Sequence, residues 1–279
     1  MPTLTCQISN ALKEELDKRA ASTGESIDHL VSAALSRCFD VPLHTLFQVS
    51  TSGALVQGVY ERAVSSKVLL GYGDFGIGTL VNLDGEMVVL DGIVYQVRSD
   101  GKVSEVSDDV GTPFAVVVHF RADRDEMIDE ALSFESLTQI CDRYRDSDNL
   151  FYAFRIDGRF THIHTRAMKA TQDGLAKAAA TQPEFDFSDV EGTLVGIWSP
   201  QFSGALNVAG YHFHFLSRDR TQGGHLLGCS GERLRVRVQR LNDFHLSLPE
   251  SEEFLKADLT RDPSKDLAYA EQTHGKEDA

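Results

Sequence analysis

The stretch YHFHFLSRDRTQGGH, residues 211–225, holds three histidines in a pattern that constrains both the local fold and its chemistry. His212 and His214 lie two residues apart in an apolar, aromatic run, so on a strand both imidazoles share one face. The polar turn that follows contains a double glycine, returns the chain and presents His225. Three neutral imidazoles that converge in this way can hold a divalent transition metal and leave positions open for a substrate. A pair of satisfied or exposed histidines on an ordinary strand is the alternative.

The composition indicates a soluble globular protein. Hydrophobic residues make up 42% and charged residues 25% of the 279 positions, which is ordinary for that class. The net charge of −15 argues against broad binding to nucleic acid or to anionic membranes. The apolar runs are too short to cross a bilayer, and the N-terminus lacks a signal-peptide pattern. The four cysteines form no C-x-x-C pair, so we expect reduced, mostly buried thiols in a cytoplasmic enzyme.

The first 42 residues predict a separate small module. Residues 3–8 alternate polar and apolar side chains like a strand, and helical spacing of apolar residues follows up to Gly24. Ser9 or Asn10 is placed to cap this helix, and Ser26 to start a second one. Strand, helix and helix in this order resemble a ribbon-helix-helix module, which implies pairing with a second copy.

DNA binding by this module is less favoured than dimerisation. In ribbon-helix-helix proteins the outward strand residues enter the major groove, and here these would be Thr3, Thr5 and Gln7. None of them is basic, and acidic residues outnumber basic ones across the segment, so the attraction to phosphates should be weak. A helical hairpin of unrelated origin, packed on the main domain, is the other alternative.

Residues 43–279 read as a second domain with a strand-dominated α+β pattern. Short alternating segments between glycine turns lack the regular βαβ period of a parallel α/β fold. The predicted helices cover residues 134–144 and 173–180, and the predicted strands cover residues 79–81, 86–90, 93–97, 114–120, 151–156, 193–198, the histidine strand and its return, and 233–241. The glycine-rich run at residues 71–79 lacks the Lys-Ser/Thr ending of a phosphate loop, so it predicts close strand packing instead of nucleotide binding.

Two charged residues are candidates for chemistry. Glu86 shares a strand face with apolar residues, and a carboxylate that points inward must be paired or functional. Arg166 shares a face with a second H-x-H pair, His162 and His164, and an inward guanidinium is a natural partner for a substrate carboxylate. The second pair competes with the first as a metal site, but no third ligand lies near it in sequence.

Several blocks together resemble the α-acetolactate decarboxylase family. They are, in order, QVST (48–51), GVY (58–60), GDFGIGT (73–79), LDGE (83–86), TPFA (112–115), GTLVG (192–196), GYHFHFLSRDR (210–220) and GGH (223–225). The resemblance runs from about residue 44 to the C-terminus and leaves out the N-terminal module. It implies a mixed sheet with a β-barrel-like half, and a zinc enzyme of the butanediol pathway that converts 2-acetolactate to acetoin and CO2.

The resemblance also implies a set of site residues. The metal ligands would be His212, His214 and His225, the catalytic residues Glu86, Arg166 and Glu271, and the substrate-binding residues Thr79 and Arg166. The flanking sequence leaves Arg155 or Arg159 as alternatives to the arginine, and Glu253 as an alternative to the last glutamate.

The expected mechanism uses Zn2+, or another divalent transition metal, as a Lewis-acid electron sink for an enediolate left by the loss of CO2. Arg166 would hold the carboxylate, and Glu86 or a metal-bound water would deliver the proton. We expect a homodimer or higher homo-oligomer. Two other hypotheses are a metabolite-sensing DNA-binding regulator and a metal-binding domain that has lost turnover.

Overall fold

The structure, a computed structural model, describes residues 5–38, 44–129, 133–171, 174–263 and 265–267. The chain divides into two compact units, Met1–Leu43 and His44–Ala279. No helix of the described residues is both long and apolar enough to cross a membrane.

The first unit is a helical hairpin of α1 (Asn10–Thr23) and α2 (Ile27–Cys38). The Ser9 hydroxyl accepts a hydrogen bond from the Leu12 amide at 3.2 Å, and Ser26 accepts one from the His29 amide at 3.1 Å. Gly24 ends α1 with a φ of 76°, a left-handed conformation that suits a residue without a Cβ. The predicted start and end of α1 and the predicted start of α2 are confirmed.

The predicted strand of this unit is not formed at residues 5–8, and Thr3 lies outside the described residues. Residues 5–8 join none of the strand pairs of the described residues, so this segment gains no ladder hydrogen bonds there. No described side chain of the hairpin is buried, and Leu12 is 50% exposed. The hairpin by itself therefore covers little of its apolar surface.

The second unit is dominated by strands. In chain order they are β1 (Thr45–Val49), β2 (Val64–Ser65), β3 (Phe75–Thr79), β4 (Glu86–Leu90), β5 (Ile93–Val97), β6 (Val103–Glu105), β7 (Gly111–Thr112), β8 (Phe114–Val118), β9 (Arg124–Ile128), β10 (Phe151–Arg166), β11 (Glu184–Ser199), β12 (Gly210–Ser217), β13 (Gly223–Gly231), β14 (Leu234–Leu241) and β15 (Asp243–Ser247). The helices are α3 (Ser52–Val56), α4 (Ser66–Leu70), α5 (Phe134–Tyr144), α6 (Leu175–Ala180) and α7 (Glu252–Lys256). The α+β class is confirmed.

Two large sheets build this unit. The first has seven strands in the order β15-β1-β8-β3-β4-β5-β6, in which only the β1–β15 pair is parallel. The second has six strands in the order β11-β12-β13-β10-β14-β9. Its strand β11 also pairs with β10, so the pairing through β10, β13, β12 and β11 returns to its start.

The two faces of β12 contact different cores. Leu216 packs with Val88 of β4 and other residues between the two sheets. Phe213 and Phe215 pack in a separate cluster with residues of β10 and of α5. The alternation of side chains on β12 therefore directs His212 and His214 toward the seven-stranded sheet.

The segment around the glycine-rich run corrects one predicted strand. The strand expected at residues 79–81 ends at Thr79, and a single 3-10 turn, Val81–Leu83, follows it. Asn82 and Leu83 have φ values of 62° and 56°, a conformation that no strand continues through. Within β3 a Cβ on Gly76 would lie 2.1 Å from the Val116 carbonyl oxygen, so the glycine is needed for close strand packing.

Candidate metal centre

The three histidines come from neighbouring strands of the six-stranded sheet. His212 and His214 lie on β12, and the register of the sheet places His214 opposite His225 of β13. Phe213 stands opposite Gly196, where a Cβ would lie 2.1 Å from its ring. The ring thus fills the space over the glycine, which fixes the register and the direction of both β12 histidines.

The imidazole nitrogens converge on one point. Nε2 of His212 lies 3.2 Å from Nε2 of His214 and 3.1 Å from Nδ1 of His225. Within the described part of the chain, this is the group of three or more histidine, cysteine or carboxylate side chains that could hold a metal, with ligand atoms within 4.8 Å of one another. His214 and His225 are buried and His212 is half-buried.

The tautomer of His214 follows from its backbone contact. Its Nδ1 lies 2.8 Å from the carbonyl oxygen of Met87, which can only accept a hydrogen bond. Nδ1 therefore carries the proton and Nε2 carries a lone pair. This Nε2 lies 3.6 Å from Glu86 Oε2 and 3.2 Å from Nε2 of His212. Such a convergence of acceptors fits a cation, so the residues present suit a divalent transition metal.

The electrostatics keep the histidines neutral. Burial, followed by the positive charge of Arg166, lowers the pKa of His212 to about 3. Burial also lowers the pKa of His225 well below its ordinary value, with Arg166 and the other two imidazoles adding to the effect. For His214 burial and His212 lower the pKa, while the hydrogen bond to Met87 opposes them. Metal ligation requires neutral imidazoles, so the site is prepared for it.

Arg166 is the arginine that the fold brings to the histidines. It ends β10 directly opposite His225, and its side chain is fully buried. The neighbouring Gly224 has a φ of 135°, and a Cβ there would lie 2.5 Å from the Arg166 carbonyl oxygen. This close approach of β13 to β10 brings the guanidinium to the histidines, where it lowers their pKa values.

Glu86 arrives from the seven-stranded sheet. It begins β4 opposite Thr79, is buried, and accepts a hydrogen bond on Oε1 from the Met168 amide at 3.1 Å. The Thr79 hydroxyl donates to the Gly85 carbonyl at 2.8 Å and so fastens the turn that leads to Glu86. With its proton engaged there, the hydroxyl offers a substrate only its acceptor lone pairs.

The alternative arginines are engaged elsewhere. Arg155 pairs with Asp91 and Asp157, and the exposed Arg159 pairs with Asp189. Both are therefore held by carboxylates that lie outside the histidine cluster.

The second H-x-H pair lies on the surface side of β10. His162 contacts Asp186 at 2.8 Å and His164 contacts Glu184 at 2.9 Å. Neither belongs to the three-ligand group of the described residues. Glu253 lies exposed at the start of α7 beside Glu61, and Glu271 lies outside the described residues.

Three contributors to the site carried little sequence signal. The Met87 carbonyl and the Met168 amide act through the backbone, which residue identity does not reveal. Gln182, whose Oε1 accepts a hydrogen bond from Arg166 Nη1 at 2.6 Å, follows an alanine-rich helix and stands in no recognisable motif.

Comparison with known proteins identifies the family. The profile of the Alpha-acetolactate decarboxylase family matches residues 46–261. The chain is 37% identical over 254 residues to the Alpha-acetolactate decarboxylase of Methanosarcina mazei, covering 90% of this chain and 87% of that one. The enzyme of Raoultella terrigena is 39% identical over 224 residues, covering 79% and 86%. The crystal structure of alpha-acetolactate decarboxylase from Bacillus subtilis strain 168 superposes with a TM-score of 0.79 at 35% identity, covering 82% of this chain and all of that one. The chain therefore belongs to the alpha-acetolactate decarboxylase family and is a carboxy-lyase.

Proposed function

We propose that this protein converts 2-acetolactate to acetoin and CO2 at a divalent transition metal, Zn2+ in the first instance, held by His212, His214 and His225. The observation that carries the proposal is the convergence of three neutral imidazoles beside a buried arginine and a buried glutamate. When bound, the metal supplies a Lewis acid for the electron pair that the departing CO2 leaves behind. Side chains of the protein bind the substrate carboxylate and deliver the proton.

Arg166 holds the carboxylate of the substrate. A guanidinium offers planar, paired donors that match a carboxylate, and it keeps its proton in proteins. It therefore serves as an electrostatic partner and not as an acid. Because the side chain is fully buried, its interaction with a negative charge is screened little by water.

Glu86 delivers the proton as a general acid. After CO2 has left, the carbon that carried it must receive a proton on one face. The Met168 amide holds Oε1 of Glu86 at 3.1 Å, which directs Oε2 toward His214 and the centre of the site. A carboxyl group fixed in this way can deliver a proton from a defined direction, as general acid catalysis requires.

Thr79 and Glu271 complete the proposed site. The Thr79 hydroxyl, fastened to Gly85, offers its lone pairs to a hydroxyl group of the substrate. Glu271 keeps its proposed role as a second catalytic carboxylate from the family resemblance alone.

We infer that the N-terminal hairpin pairs with a second copy of the chain. None of its described side chains is buried; Leu12 of α1 is 50% exposed, and Ile8, just before α1, is 43% exposed. Apolar surface of this kind is stabilised when two copies cover each other. Its charge gives DNA no comparable attraction, so the regulator hypothesis has no observation among the described residues in its favour.

The deciding experiment incubates metal-replete protein with racemic acetolactate and follows acetoin. We expect acetoin to form, with no turnover after chelation and recovery on adding Zn2+. A protein with one bound metal per chain and no acetoin formation would exclude the decarboxylase proposal.

A further inference from the structure

Gln182 is placed beside Arg166 by a short, fixed segment. It lies between α6 and β11, and the Ala167 amide donates to the carbonyl oxygen of Pro183 at 3.2 Å. This backbone bond ties the segment to the end of β10, where Arg166 stands. The proline adds rigidity because its ring fixes φ. The backbone next to Gln182 is thus held at Pro183, beside the end of β10.

The hydrogen bond to Arg166 decides how the Gln182 carboxamide is turned. A guanidinium can only donate, so the group 2.6 Å from Arg166 Nη1 must be the amide oxygen, Oε1. Nε2 is bonded to the same carbon and therefore lies next to the guanidinium with two protons to donate. Within the described part of the chain this buried Nε2 has no hydrogen-bond partner. Buried amide groups are almost always satisfied, so a missing partner calls for an explanation.

We propose that Gln182 Nε2 donates to the carboxylate of the substrate and makes Gln182 a specificity-determining residue. The inference rests on the proposed function, in which Arg166 holds that carboxylate. A carboxylate has two oxygens, and each accepts more than one hydrogen bond, so one group can serve both Arg166 and Gln182. Acetoin has no carboxylate and leaves Nε2 unpaired again. The same residue therefore favours binding of the substrate over binding of the product.

The test compares two ligands on the full-length, metal-loaded protein by calorimetry. One is 2-hydroxyisobutyrate, which has the hydroxyl and carboxylate of the substrate but no ketone and so does not decarboxylate. The other is acetoin. In Gln182→Met, of similar shape, we expect the dissociation constant of 2-hydroxyisobutyrate to rise about 10- to 100-fold, the loss typical of one hydrogen bond to a charged group. The acetoin constant should change less than about threefold, within the scatter of a distant substitution.

Two further variants sharpen the result. Gln182→Glu keeps an oxygen for Arg166 but replaces the donor with a negative charge. It should therefore weaken the binding of 2-hydroxyisobutyrate more than Gln182→Met does. Gln201→Glu makes the same charge change at an exposed position and should leave both constants unaltered. Thermal midpoints and bound metal establish that each variant is folded and loaded.

Distinct outcomes separate this inference from the proposed function. An equal loss of affinity for both ligands would assign Gln182 a purely structural role and overturn the inference, as would unchanged 2-hydroxyisobutyrate binding in both Gln182 variants. Neither result bears on whether the wild-type protein produces acetoin, which is the test of the proposed function. Conversely, a wild-type protein without turnover refutes the proposed function, while the calorimetric comparison still decides the role of Gln182.

Discussion

At the residue scale, the two H-x-H pairs differ in what surrounds them. His212 has imidazole nitrogens at 3.1 and 3.2 Å, whereas His162 has an aspartate at 2.8 Å. His212→Ala removes one of three metal donors. We expect its metal affinity to fall by more than the loss of about 10- to 100-fold that is typical of changes in the outer shell. His162→Ala is the matched control and should keep both metal and activity. Metal analysis with acetoin assays checks this, and damage confined to His162→Ala would reverse the assignment.

The role of Glu86 can be separated from its position. Glu86→Gln retains an oxygen that accepts from the Met168 amide, so the side chain should stay in place. It cannot carry the catalytic proton, and kcat should fall about 10²- to 10⁴-fold. We expect bound metal to stay unchanged.

Glu105→Gln, at an exposed position of β6, is the control for the loss of one negative charge. A Glu86→Gln enzyme with near-normal kcat would remove Glu86 from the proton transfer.

At the element scale, the approach of β13 to β10 positions His225 against Arg166. A Cβ on Gly224 would lie 2.5 Å from the Arg166 carbonyl oxygen, at a φ of 135°. We expect Gly224→Ala to cost about 1–3 kcal/mol of stability, since it strains the backbone, and to weaken metal binding by shifting His225. Denaturant unfolding and metal titration measure the two effects.

Gly228→Ala is the matched control on the same strand, because a Cβ there meets only the His164 side chain at 3.7 Å. Equal behaviour of the two variants would show that the close approach is not required.

Sequence patterns predicted elements where local signals were complete. The boundaries of α5 at Phe134–Tyr144 follow from helical spacing and those of β4 and β5 from alternation, and the structure agrees with them. The strand predicted at residues 79–81 was wrong because a turn begins there in which Asn82 and Leu83 adopt the left-handed backbone conformation. A leucine gives no local signal for such a turn.

The candidate site was predictable in part for the same reason. The histidine motif and the buried Glu86 leave a signal in side-chain identity. The pairing of β10 with β13, which brings Arg166 opposite His225, is a long-range contact without a local signature. The cysteine prediction failed in part, because Cys6 and Cys38 are exposed while Cys141 and Cys229 are buried, and all four are free.

At the scale of the whole molecule, the buried histidines make stability depend on pH. Their folded-state pKa values lie below the ordinary value of 6.5, so the unfolded chain binds more protons as the pH falls through 6.5. The free energy of unfolding of the metal-free protein should therefore decrease once the pH is below 6.5. It should go on decreasing until the pH reaches the folded-state pKa, which is about 3 for His212. Between about pH 7.5 and about pH 5, His212 alone should contribute a loss of about 2 kcal/mol.

Chemical unfolding of the metal-free protein at the two pH values measures this loss. Carboxylates titrate mainly below this window, and His212→Gln removes one of the titrating groups. We expect the variant to lose less stability than the wild type over the same interval, and an equal loss would contradict buried, neutral histidines. Added Zn2+ should restore stability in the wild type, because a ligand that binds only the folded state stabilises it.

The division into two units predicts that turnover and assembly can be separated. The metal-centre residues described all lie within His44–Ala279, and the Bacillus subtilis enzyme is matched over its whole length by 82% of this chain. Deletion of residues 1–43 should therefore leave kcat/KM within about threefold of the full chain, as expected for changes remote from a site. If a second copy covers the exposed apolar side chains of the hairpin, as proposed, the full chain should form a larger oligomer, with more protomers, than the truncated chain. Light scattering of both proteins across a concentration series measures this difference. Identical oligomeric states would remove the hairpin from assembly, and loss of activity on truncation would place it in the catalytic unit.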